Sequence, residues 1–497
     1  MTPSALLGAT ARAASRTALG RSAALSVSRG AARLVSRWFS GVPGVESVYL
    51  TGSLTRPERF EPGRSDIDLV LVCDFASPAR ADLPIVLRER QTSLSALGGL
   101  FYNLDCLDVE ELPYARAFGG TWEMRFDAQA QRVAGRSLFS GRAKRPISEV
   151  RNENLGTALR RWFNTGARLL DPTLEIEIDA ARDAQRLFAD VAELWSGIDV
   201  RTDAGSLLAR VKSAPGLPSA REALGLGLDA CRGSSVRDIF LPATLEMLDA
   251  FAHEITRDFR GELDTTGNVQ RLEPLAGFRE FGAMLLGAPF ESVALIDKAP
   301  RASEYFVLAV AATDAPAQEV VREAVARGRR AADALRALRR WCRRPAPITE
   351  HIWSALSLAE PAPFVGAAAS RPLVRLGAPL GAPLAPSHDA LLALLRARVV
   401  QSFTLCRGPE LRPRMAAEHR RRALASRFVL LPALDRAIDT GKLDVTWEGF
   451  HDADPPPAGE RERLLGDFSR RHRARLAPLL DERIGASWVD FDVPGRR

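Results

Sequence analysis

Two stretches of the sequence carry side chains whose types and spacing could do chemistry. They are Val48-Tyr-Leu-Thr-Gly-Ser53 and Arg64-Ser-Asp-Ile-Asp-Leu-Val-Leu-Val72, with twelve residues, Leu54 to Ser65, between the Gly-Ser pair and Asp66. In an extended strand successive side chains alternate faces, so Asp66 and Asp68 project from one face, roughly 6.6 Å apart along the chain, and Ile67, Leu69 and Leu71 take the other. Two carboxylates placed in this way can grip a hard divalent cation such as Mg²⁺, which wants oxygen ligands and is usually completed by waters and substrate phosphates. Gly52 lets the backbone turn tightly and approach a phosphate, and Ser53 adds a hydroxyl and a backbone N–H at the start of a short helix.

The elements that must position these groups read as strand, Gly-Ser turn, loop and second strand, preceded by a helix over 22–40 and followed by one over 80–97. In the first helix Val27, Ala31, Leu34, Val35 and Trp38 space as one apolar face, ending near Gly41-Val-Pro-Gly44. The second has Leu83, Val86, Leu87 and Leu94 at helical spacing, Pro84 in its first turn and Gly98-Gly99 at its end. It leads into the strand-like run Leu100-Phe-Tyr-Asn-Leu-Asp-Cys-Leu-Asp108. Thr121 to Asp127 alternates Trp122, Met124 and Phe126 and predicts a further, half-buried strand.

The Gly-Ser turn, the twelve-residue interval and Asp-Ile-Asp-Leu together resemble the signature of the DNA polymerase beta-like nucleotidyltransferase superfamily. The wording around it, Gly-Ser-Leu-Thr-Arg and then Glu61-Pro-Gly-Arg-Ser-Asp-Ile-Asp-Leu-Val, looks most like the aminoglycoside adenylyltransferases and their bacterial relatives. The resemblance covers about residues 22 to 145. It implies nucleotidyl transfer: Gly52 and Ser53, with Ser65, hold the nucleoside triphosphate, and Asp66 and Asp68 bind one or two Mg²⁺ ions. Two ions about 3.5–4 Å apart can stabilise both the attacking and the leaving oxygens of an in-line displacement.

The family also implies a third carboxylate on a neighbouring strand, completing the metal site and helping to deprotonate the acceptor. Asp105 and Asp108 compete for that place. If the strand runs through both, their three-residue spacing puts them on opposite faces, and hydrophobicity does not decide between the faces. Asp105 is favoured by its position inside the apolar run, with Cys106 and Leu107 still to follow. Asp108, Glu110 and Glu111 stand where the chain turns polar and a helix could begin, where acids suit the N-terminal dipole.

Length and composition bound what remains. The 497 residues suggest about three domains, and the fold class expected is α+β, a small mixed-sheet nucleotidyltransferase domain followed by a largely α-helical remainder. The divisions expected are a loose basic tail over 1–20, the catalytic domain over 21–145, a helical domain over 146–265 and a mostly helical region over 266–497. Residues 1–45 contain no Asp or Glu, a composition that imitates a mitochondrial transit peptide, but a helix before the first strand is what the family's domain requires. Net charge is +7, modest for this length, and does not by itself argue for nucleic-acid or membrane partners. Five scattered cysteines without a CxxC pair read as reduced residues of a cytoplasmic protein. No apolar run is long enough to cross a bilayer.

Beyond residue 146, Leu155, Leu159, Trp162, Phe163 and Leu170 repeat at helical spacing, as do Ile178, Ala181, Leu187, Val191, Leu194 and Trp195. Val293 to Ile296 and Tyr305 to Val310 suit short strands, and Val320 to Arg344 one long helix. Residues 361–386 hold six prolines and read as an extended surface connection. Helices resume over 388–405, 413–439 and 460–477. No internal repeat is evident.

Three Arg clusters, Arg327 to Arg344, Arg412 to Arg422 and Arg470 to Arg475, invite a nucleic-acid reading; in the first, Arg329, Arg336, Arg340 and Arg343 fall on one helical face. Yet the 68 basic residues include only four lysines. Arg is used nearly everywhere in this chain, and no nucleic-acid module accompanies the clusters. The resemblance implies as substrates ATP or another NTP and a hydroxyl acceptor, a small molecule or a protein. An RNA-tailing enzyme and a catalytically inactive nucleotide-binding protein are the rival readings.

Overall fold

The computed structural model describes residues 17–62, 65–75, 82–96, 102–138, 143–170, 178–196, 211–226 apart from 212 and 215, 235–257, 259–267, 275–297, 305–338, 345–359, 364–411, 417–444 and 454–484. Internal packing divides the chain into two units: one gathers 1–145 with 396–431 and 454–497, the other 146–395 with 432–453. Helices and small mixed sheets make up both, an α+β chain. Among the described residues no helix is long and apolar enough to cross a membrane.

The first unit is built on strands β1 (Val45–Thr51), β2 (Ile67–Cys73), β3 (Tyr102–Asp108) and β4 (Gln131–Gly135), in the order β3-β2-β1-β4. β1 runs antiparallel to β2 and β4, and β2 runs parallel to β3. A parallel pair needs a crossover, and helix α2 (Leu83–Ala96) supplies it. Register follows from burial, because a one-residue slip would turn every side chain to the other face. Val48, Leu50, Leu69, Leu71, Leu104 and Cys106 all point into one core.

Helix α1 (Ala18–Ser40) covers that face, starting from Thr17, whose hydroxyl accepts from Gly20 N at 3.1 Å. Its buried face is only in part the one expected, keeping Val35 and Ala31. Ala32, Val35 and Phe39 enter the core, whereas Val27 and Leu34 are 72% and 68% exposed. The small side chains at Ala32 and Ser36 let the helix lie close to the sheet, and Ser36 satisfies its hydroxyl on Ala32 O. Trp38 sits at the rim beneath the Arg90 guanidinium, 4.8 Å away. The tail reading for 1–20 falls largely outside the described residues.

Three further expectations are corrected. Thr121–Gln129 is a helix, α4, following the short helix α3 (Leu112–Phe118). Trp122 and Phe126 stack one turn apart with centroids at 5.7 Å, so the alternation that imitates a strand is an i, i+4 pair; the strand is the next segment, β4. The long helix over 320–344 breaks at Ala331, between Ala317–Arg330 and Ala332–Leu338, and 339–344 lie outside the described residues. The proline-rich stretch 361–386 is also more ordered than expected. Its proline-free windows form a helix, Phe364–Ser370, and a strand, Val374–Gly377, because only those windows keep every backbone donor.

The second unit carries its own four-stranded sheet: β5 (Phe290–Asp297), β6 (Tyr305–Ala311), β7 (Ala346–Thr349) and β8 (Val374–Gly377), in the order β7-β6-β5-β8. Helices Ile147–Arg161, Ile178–Trp195 and Ser235–Thr256 pack in the same core, into which Leu155, Trp162, Leu187 and Val191 are buried.

Candidate functional site

The β1-β2 hairpin and the parallel β3 bring the predicted acids to one face of the first sheet. Asp68 pairs with Thr51 on one side and Asn103 on the other, and Val70 pairs with Asp105. Directly paired residues share a face, so Asp68, Asn103 and Asp105 stand together, opposite the helix-covered core. Asp66, just ahead of β2, joins them. The Asn103 side-chain amide donates to Asp66 Oδ2 and, at 3.1 Å, to Asp68 Oδ1, so two carboxylates converge on one point.

Gly52 is held against this pair. Its φ of 71° is left-handed, and a Cβ built there would lie 2.9 Å from Asp68 Cγ, so the position admits little besides glycine. It opens a single 3₁₀ turn, Gly52–Thr55, closed by the Thr55 hydroxyl donating to Gly52 O at 2.8 Å. Arg29 of α1 anchors the turn through two bonds to Leu54 O, at 3.1 and 3.0 Å. Ser53 is the second residue of the turn and is half-buried. Ser65 closes the loop between turn and strand: its N–H donates to Glu61 O at 2.8 Å, and its hydroxyl accepts from Glu61 N at 2.9 Å.

Asp105 is half-buried on the acid face, beside Gly408, where a Cβ would come to 3.6 Å of its Oδ1. Gly408 begins a short turn, Gly408–Leu411, which the Gln91 amide ties to α2 by donating to Leu411 O. Asp108 takes the opposite face and is 5% exposed. It accepts from Phe75 N at 3.2 Å and Glu110 N at 2.8 Å, beside an ion pair of Glu111 with Arg407 at 2.8 Å. Its role is that of a buried hub joining the end of β3 to α3.

Sequence reasoning missed Asn103 as a partner of the acids, though its two-residue offset from Asp105 put it on the same face. Arg29 and Gly408 carried no signal, one lying on a helix and the other some three hundred residues further along. Among the described residues no group of three His, Cys, Asp or Glu stands close enough to hold a metal ion. The Asp66–Asp68 pair is an all-oxygen donor set that could hold a hard cation, with the Asn103 amide bridging its two carboxylates.

The Arg clusters are largely engaged elsewhere. Arg327 is buried and donates to the carbonyls of Leu285 at 2.8 Å and Ala288 at 2.6 Å. Arg421 and Arg422 pair with Glu418 at 3.0 and 2.7 Å, Arg336 pairs with Asp333 at 3.2 Å, and Arg470 and Arg473 pair with Asp467 and Glu110. Arg339 to Arg344, Arg412 and Arg414 lie outside the described residues. Cys73, Cys106 and Cys406 are buried free thiols.

Burial, together with the neighbouring Glu111 carboxylate, pushes the Asp108 carboxyl up from 3.8 to about 7, partly offset by Arg407. The folded chain therefore binds more protons than the unfolded chain between those values, so stability from this group is fully present below about pH 4 and lost as pH rises through about 7. Asp108→Asn should flatten that loss, which thermal melts at about pH 5 and about pH 8 would read. An unchanged difference between the two melting temperatures would contradict it.

Comparison of the chain with family models, with curated proteins and with solved structures finds no match.

Proposed function

We propose that the chain is a Mg²⁺-dependent nucleotidyltransferase of the polymerase beta-like kind, moving a nucleoside monophosphate, AMP from ATP first among the donors, to a hydroxyl of a small-molecule or protein acceptor. The observation that carries this reading is the convergence of the Asp66 and Asp68 carboxylates on one point, with Gly52 pressed against Asp68 and Asp105 on the same face. A strand-end pair of solvated acids would not need a left-handed glycine packed against one of them.

In this reading Asp66 and Asp68 would hold the cation, and the Gly52–Thr55 turn, braced by Arg29, would give the triphosphate a close approach to the backbone. When bound, the cation would neutralise charge on the phosphates and on the leaving pyrophosphate. Asp105 takes the proton of the acceptor hydroxyl as its oxygen bonds to the α-phosphorus; the bond from that phosphorus to the bridging oxygen breaks, and pyrophosphate carries away the electron pair. Asn103 orients the two carboxylates that would hold the cation, through its hydrogen bonds to both.

Incubating the protein with labelled ATP, GTP, CTP and UTP and a cell extract, and asking which molecule acquires label, tests the proposal. Label on a metabolite or protein, insensitive to added salt, is expected. Label on RNA through a strongly salt-dependent interaction would point to tailing instead, because phosphate-backbone binding releases counterions.

A further inference from the structure

The two sheets repeat one another in detail that the strand sequences conceal. In both, the order of elements is helix, two antiparallel strands, helical crossover, a strand parallel to the second, further helices, and a last strand antiparallel to the first. In both, the first strand carries a bulge at the same place: Glu46 between Val45 and Ser47, and Glu291 between Phe290 and Ser292. The bulged glutamate's carbonyl accepts from the residue after the last strand, Arg136 N at 3.1 Å and Ala378 N at 2.8 Å. The serine hydroxyl donates to the carbonyl of that same residue, Ser47 to Arg136 and Ser292 to Ala378. The glycine before it, Gly135 or Gly377, has φ of 78° or 88°, and any Cβ on it would strike the glutamate carbonyl.

This bulge fixes the correspondence residue by residue. Ser47↔Val72 matches Ser292↔Val310, and Thr51↔Asp68 then matches Ile296↔Phe306. Asp105, paired with Val70, matches Ala346, paired with Leu308. At both positions an acid of the first sheet is replaced by an apolar residue in the second. This part of the second sheet is also covered: Phe163 lies against Phe306 with ring centroids at 5.4 Å, and the Trp162 ring N–H donates to Pro347 O at 2.8 Å. Phe306 and Ala346 are 3% and 1% exposed.

We infer that the chain contains two copies of one fold, and that the second, spanning 275–377, has lost the counterparts of Asp68 and Asp105 and had its cleft filled by Trp162 and Phe163, so that each chain has a single nucleotide site. The repeat escapes the sequence because it survives only in Glu-Ser-Val at the bulge and in one glycine, while the rest of the strands changed freely. The single-site part rests on the proposed nucleotidyl transfer; the duplication does not.

Two measurements on the full chain test it. Photolabelling with an azido-ATP in the presence of Mn²⁺, followed by peptide mapping, should place label only within the first copy. Label on 290–311 or 346–377 would overturn the loss of the second site. Absence of label everywhere would sink the nucleotide reading and leave the duplication to the second measurement. There, Gly135→Ala and Gly377→Ala should each lower the melting temperature by several degrees, since both force a side chain into a left-handed turn against a carbonyl. If either is tolerated without loss, the two turns are not equivalent and the duplication fails.

Discussion

Asp68→Asn is expected to lower nucleotidyl transfer by on the order of 10³-fold or more, about 4 kcal/mol of transition-state stabilisation, with the melting temperature nearly unchanged. The substitution keeps the volume, and an Asn oxygen can still accept from the Asn103 amide, so the β2-β3 packing survives. What disappears is the negative charge that a cation requires. Asp66→Asn should act alike, because the same amide joins the two acids. Turnover close to that of the unaltered protein in Asp68→Asn would remove the metal pair from the account.

The second large effect separates Asp105 from Asp108. Asp105→Asn should cost about 10²–10⁴-fold in rate, the range for losing a positioned general base. Asp108→Asn should leave the rate within a few-fold, since its carboxylate faces the helix-covered side and its bonds go to Phe75 N and Glu110 N. The reverse order of effects would mean that the acid face has been assigned to the wrong side of β3.

Much of the first sheet was legible because its local signals are strong. Alternation across Ile67 to Leu71, the Gly-Ser turn and the proline-started crossover all favour the same elements, and the face of Asp66 and Asp68 follows from strand geometry alone. Failures came where one pattern fits two periods or where distant residues decide. Trp122 and Phe126 satisfy both a strand and a helix, and the packing of α4 chose the helix. Along α1, hydrophobicity pointed to Val27 and Leu34, whereas close approach to the sheet required the small residues Ala32 and Ser36. Gly408, beside Asp105, reaches the first unit only through the fold. The second sheet was seen only as two isolated strands, because the other two lie among prolines that mark loops in most contexts.

Nucleotidyl transfer differs from hydrolysis and from kinase chemistry in which phosphorus ends up on the acceptor. The measurement that bears on this most directly is parallel incubation with ATP labelled at the α- or the γ-phosphate, with Mg²⁺ and an acceptor-containing extract. The proposed chemistry predicts that α-label becomes covalently attached to acceptor, that γ-label leaves as pyrophosphate, and that both require Mg²⁺ and are lost in Asp68→Asn. Transfer of γ-label to the acceptor, or α-label transfer that persists in Asp68→Asn, would contradict it.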